Sequence, residues 1–160
     1  IWDVKGYLEL YLLKWISFRE QNMEFQIEEF IGKFGEFFNF FIVAVLLTLI
    51  FTVIYWKVTS HNEFKLIKEK SIAAAVAFSG ALIGFALPLV SVMLNSTNVI
   101  EMAQWAVVAM VIQIFVYFLV RMPMPKISER IENNEVAAGI WLGVASLVGG
   151  MLNAASMTSS

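Results

Sequence analysis

Cysteine is absent from the 160 residues, which excludes disulfides, thiolate metal sites and cysteine nucleophiles. Histidine occurs once, at His61, beside Asn62 and Glu63. One imidazole and one carboxylate are fewer ligands than a zinc site uses, so this segment reads as a solvated loop start or a cap for the helix that follows. No glycine-rich nucleotide loop, serine elbow or HExxH helix occurs, so neither an enzyme nor a cofactor is expected. Charge is scarce as well. Asp, Glu, Lys and Arg make up 15% of the chain against about 25% in soluble domains, and hydrophobic residues 59% against roughly 45–50%.

What charge there is leaves long gaps. None falls within 37–56, 71–100, 102–120 or 136–160. Each gap is near or above the ~18–20 residues that an α-helix needs to cross a bilayer core. Backbone polar groups must pair within the hydrocarbon, so these segments are helices or barrel strands. The run FFIVAVLLTLIFTVIYW is apolar throughout and lacks the alternation of barrel strands. The sequence therefore predicts an all-α polytopic membrane protein with four spans at approximately 38–57, 72–94, 102–121 and 136–157. The segment before the first span lacks the short apolar core and cleavage site of a signal peptide.

Two stretches repeat a pattern. HNEFKLIKEKSIAAAVAFSGALIG, from His61, and ISERIENNEVAAGIWLGVASLVGG, from Ile127, both pass from charged residues to small apolar ones. At an offset of 64, Lys57 lies over Arg121, Ile67 over Ile131, and Ala73-Ala74-Ala75 over Ala137-Ala138-Gly139. Two spans per unit give both units the same orientation, so the expected architecture is two parallel two-helix repeats. The expected division is 1–38 as an N-terminal segment, 39–96 as the first membrane repeat and 97–160 as the second. Within the first segment Ile27, Phe30, Ile31, Phe34, Phe37 and Phe38 share one helical face opposite Glu24, Glu28, Glu29, Lys33 and Glu36. This predicts an amphipathic interfacial helix, with Gly32 and Gly35 as points where it can bend.

Lys57, Lys65, Lys68 and Lys70 cluster after the first span, and Arg121, Lys126 and Arg130 after the third. The positive-inside rule makes both loops cytoplasmic and leaves the N-terminus, the 95–101 turn and the C-terminus outside. The basic loops suit anionic lipid or a cytoplasmic protein as partner, and nucleic acid is not expected.

Within the spans, Ala73, Ala77 and Ala81 recur at four-residue steps beside Gly80 and Gly84, as Gly139 with Gly143 and Ser146 with Gly150 do in the last span. Such spacing lets backbones approach closely in lipid, where apolarity alone selects no neighbour. These helices are expected at the centre and as homo-oligomer contacts, with the bulky residues of spans one and three at the periphery. Gln113 and Asn153 are the candidates for intramembrane polar contact, and Thr48 and Thr52 can bond their own helix carbonyls. Pro88 is expected to bend span two.

His61-Asn62-Glu63, Leu66-Ile67, Ala73-Ala74, Ala77-Phe78-Ser79-Gly80, Gly84 and Pro88-Leu89 resemble the first unit of a bacterial inner-membrane family with tandem copies of the domain of unknown function 350. Asn134, Ala137-Ala138-Gly139, Gly149-Gly150 and the run from Asn153 to Thr158 resemble its second unit. The resemblance implies a four-span inner-membrane protein of unassigned biochemical role. The expected function is structural or scaffolding, with a channel or transporter component for a small ion or solute as the alternative.

Overall fold

The computed structural model describes residues 4–59 and 62–157; His61 lies outside them. It contains α1 (Val4–Thr59), α2 (Glu63–Lys68), α3 (Ile72–Asn95), α4 (Val99–Arg121), α5 (Ile127–Glu132) and α6 (Val136–Ser156), and no strand among the described residues. Four of these helices are long and apolar enough to cross a membrane. The chain divides into two compact units, Ile1–Asn39 and Phe40–Ser160.

In the first unit the described side chains are exposed. Its local contacts are those of a single helix: Arg19 lies 5.1 Å over the Trp15 ring, Lys33 pairs with Glu29 at 2.6 Å, and Phe34 stacks between Phe30 and Phe38. Gly32 and Gly35 lie within the continuous α1.

The second unit is built on α3 and α6. Their contacts ascend together, from Ala73 with Gly139 through Gly80 with Gly143 and Gly84 with Gly150 to Ser91 with Ala154, so the two helices run parallel. Helix α4 packs along both. Side chains from α1 reach this group through Phe51, which stacks on Phe85 at 4.4 Å between ring centroids. Not all bulky residues are peripheral: Leu47, Phe51 and Tyr55 of α1 and Met102, Met110 and Tyr117 of α4 are buried. Apolar side chains suit lipid and core equally, so hydrophobicity alone does not tell the two faces apart.

The approach to α3 and the approach to α6 share one turn. Ser71 N–H donates to Leu66 O at 2.9 Å and Lys70 N–H to Ile67 O at 3.0 Å; 64 residues later Glu135 N–H donates to Arg130 O and Asn134 N–H to Ile131 O, both at 2.9 Å. This pair of bonds is the Schellman ending of a helix. The left-handed residue it requires is Lys70 (φ 65°) in one case and Asn134 (φ 58°) in the other. The charged loops are thus short helices, α2 and α5, each followed at once by a span. Between α3 and α4 the chain turns in three residues, with Asn98 capping Glu101 N–H while Glu101 accepts from Thr97.

Candidate functional site

Residues with no or small side chains bring α3 and α6 into backbone contact. A Cβ built on Gly80 would fall on the Gly143 backbone, one on Gly139 on the backbone of Ala73, and one on Gly150 on the carbonyl of Gly84. The last contact has a covalent origin. Pro88 has no N–H to offer the carbonyl four residues earlier, so Gly84 O lacks its usual helical donor. The space beside that oxygen is filled by Gly150, where the missing side chain admits a weak Cα–H···O contact. Helix α3 continues through Pro88, which is buried.

Gln113 enters the seam from α4. Its Nε2 donates to Ser146 O at 3.1 Å, and a Cβ on Gly84 would strike the same nitrogen. The structure therefore gathers Gly84, Gln113, Ser146 and Gly150 at one level. Gln113 is 1% exposed, and its Oε1 has no protein hydrogen bond. Ala77 packs with Tyr117 and Leu142, whereas Ala81 belongs with Phe51 and Phe85 on the side of α3 that meets α1. Asn153 is buried about two turns beyond Ser146 on α6, and its Nδ2 also lacks a protein partner. Thr48 and Thr52 donate to Ala44 O and Thr48 O at 2.8 Å, as hydroxyls in a span do.

Two open apolar grooves flank α6. One, of about 350 Å³, runs between Ser79, Gly80 and Ile83 of α3 and Gly143, Val144 and Leu147 of α6. The other, of about 450 Å³, lies against α4 and includes Gly149 and Trp141.

The other end of the spans is more polar than the sequence suggested. Asn62 caps α2, accepting from Lys65 N–H at 3.0 Å, but Glu63 is 1% exposed and not solvated. It meets the buried Thr59, and Tyr117 and Ser128 join the same cluster. Asn134 reaches from the turn before α6 to the start of α3: its Oδ1 accepts from Ser71 Oγ and Ala73 N–H, each at 3.1 Å, and so caps α3. The loop bases are otherwise outward. Lys57, Lys65, Lys68, Lys70, Arg121 and Lys126 are exposed, while Arg130 grips Glu135 and, chiefly by that hydrogen bond, holds its carboxyl below the usual carboxylate range. Sequence reasoning missed the Glu63 cluster, because a carboxylate in a charged stretch carries no mark of burial. Among the described residues no group of three His, Cys, Asp or Glu side chains is placed to hold a metal ion.

The chain is similar to known membrane proteins. The model of the family described as a Domain of Unknown Function (DUF350) matches residues 28–157, across α2 to α6 and the whole apolar half of α1. Over 122 residues the chain is 44% identical to the inner membrane protein YjfL of Escherichia coli, from strains K12 and O157:H7 alike, covering 76% of this chain and 92% of that protein. It is 28% identical over 102 residues to the transmembrane protein YshE of Bacillus subtilis, covering 62% of this chain and 76% of that one. No solved structure matches the chain.

Proposed function

Because the chain belongs to the DUF350 family, we propose that it is a multi-pass inner-membrane protein with a structural or scaffolding role, a homo-oligomer and not an enzyme. The observation that carries this reading is the α3–α6 seam. Backbone meets backbone at Gly80, Gly139 and Gly150, so protein fills the place where a path between two repeats would run. Towards the ends of α3 and α4 away from Glu63, the core is filled by apolar side chains such as Phe85, Leu89, Val92, Met102 and Ala106. The grooves beside Gly80 and Gly149 support a second copy as the neighbour, since small residues and open apolar surface are what close helix association in lipid uses.

The recurrence of one turn at an offset of 64 supports reading 39–96 and 97–160 as parallel repeats, with 1–38 as an interfacial lead-in. The exposed bases around α2 and α5 support a cytoplasmic position for both, in reach of anionic lipid or a cytoplasmic protein. Reporter domains fused after Asn95 and after Ser160 should then score as outside, and those inserted near Lys68 and Lys126 as inside. A C-terminal fusion active only in the cytoplasm reverses the orientation.

A channel or transporter component is the second reading, favoured by the buried Gln113 Oε1 and Asn153 Nδ2 without protein partners. Gln113→Leu separates the two. In a scaffold the change removes one amide and one modest interhelical bond, worth about 0.6–2 kcal/mol, and the protein still folds. Vesicles holding the variant should be as tight as vesicles holding the wild type. Saturable flux in the wild type that the variant loses would transfer the assignment to the channel reading.

A further inference from the structure

At the end of the spans away from Glu63, Glu101 is the only charged side chain between Lys70 and Arg121. Its Oε2 accepts from Thr97 N–H at 2.9 Å and from the Thr97 hydroxyl at 2.8 Å. Both donors are neutral, its Oε1 accepts no hydrogen bond, and no basic side chain among the described residues pairs with it. Glu101 borders a cavity of about 90 Å³, together with Val92, Asn95 and Ser96 at the end of α3, Trp105 one turn along α4, and Met157 at the end of α6. Asn95 Nδ2 donates to Ser91 O at 2.7 Å, which leaves Asn95 Oδ1 as an acceptor without a donor, and the Ser96 hydroxyl is likewise unengaged. Because α3 and α6 run parallel, the carbonyl ends of both helices meet here, and neither has a basic residue in its last turn.

We propose that this cavity binds the primary ammonium of an ethanolamine phospholipid. One carboxylate and the negative ends of two helix dipoles favour a cation. An ammonium carries three N–H donors and no acceptor. Glu101 Oε1, Asn95 Oδ1 and Ser96 Oγ are three acceptors with no other bond to make. Trp105 separates an organic cation from a metal ion: its ring attracts the charge, and with Val92 and Met157 it gives the methylene beside the nitrogen an apolar wall. A divalent metal ion draws more carboxylates than the one present. The lipid as the source follows from the place. Helices α3 and α4 are both long and apolar enough to be spans, so the short turn between them lies at the level of the head groups, where tryptophan side chains settle.

The test is the thermal midpoint of the purified full chain in detergent micelles carrying phosphatidylethanolamine, phosphatidylcholine or phosphatidylglycerol of one acyl composition, at equal mole fraction, pH and ionic strength. The ethanolamine lipid should raise the wild-type midpoint above that in the other two, by roughly 3–6 °C at ten times its Kd for a chain of this size. Phosphatidylcholine is the strict control, because its ammonium keeps the charge and has no N–H. Glu101→Gln keeps an oxygen for the Thr97 donors and removes the charge, so it should abolish the difference. Trp105→Phe, at a half-exposed position where folding tolerates the change, should shrink it. Equal midpoints in the three lipids for the wild type, or an ethanolamine-lipid shift unchanged in Glu101→Gln, overturn the proposal. Free ethanolamine at the same concentration should leave the midpoint unmoved; a shift from it as large as that from the lipid overturns the lipid as the source.

Discussion

Gly150→Ala, an addition of one methyl group, should lower the thermal midpoint of the purified protein by roughly 6–12 °C, taking ~2–4 °C per kcal/mol for a chain of this size. The new Cβ would land on the Gly84 carbonyl. Overfilling a packed interior costs about 1–3 kcal/mol even where side chains can move aside. Here the obstacle is main chain, and α3 and α6 must separate along a seam that also holds Gly80 against Gly143 and Gly139 against Ala73. Gly80→Leu and Gly139→Leu should go further and leave little folded protein. The control is Leu49→Ala: Leu49 is 57% exposed, and its loss should shift stability by no more than about 0.5 kcal/mol. Fluorescence-monitored melting of the four variants checks the order. Equal and small effects in all four remove the seam as the organising contact.

Substitutions at Asn134 should rank by which of two duties they keep. Asn134 holds φ at 58°, and its Oδ1 caps α3 through Ala73 N–H and Ser71 Oγ. Asn134→Ala loses the cap and places a Cβ-bearing residue without Asn's local hydrogen bonding in the left-handed region, so it should cost about 2 kcal/mol. Asn134→Gly keeps the backbone freedom and loses only the cap, at about 1 kcal/mol. Asn134→Asp keeps both and should stay near the wild type. Melting curves read the order Asp, Gly, Ala; an alanine variant as stable as the aspartate variant contradicts both duties.

These two sites differ in how far the sequence foretold them. Charge gaps are a one-dimensional signal tied directly to bilayer thickness, so the four spans are readable from the positions of Asp, Glu, Lys and Arg, and all four are helices. Small residues at helical spacing are also visible, since little else explains glycine in a lipid-crossing helix. Which face of α1 turns inward is a different matter. Phe51 is buried and Ile50 is 48% exposed, yet both are apolar because lipid and core make the same demand. Glu63 fails for the opposite reason. Its neighbours Asn62, Phe64 and Lys65 are exposed, and its burial follows from its contact with Thr59 and from the approach of Tyr117 and Ser128 through the tertiary fold. Pro88 is legible as a helix-bending residue; its effect on Gly150 depends on α6 lying alongside, which no local pattern contains.

On the proposed scaffold reading the glycine seam and the apolar core beyond it leave no path through the four spans, and permeability measures that directly. Purified wild type should be reconstituted into liposomes and the flux of Na⁺, K⁺ and protons followed against empty vesicles. Leakage should equal that of empty vesicles, with Gln113→Leu indistinguishable from the wild type. Saturable, ion-selective flux that falls in Gln113→Leu, with the amount of folded protein unchanged, would contradict it.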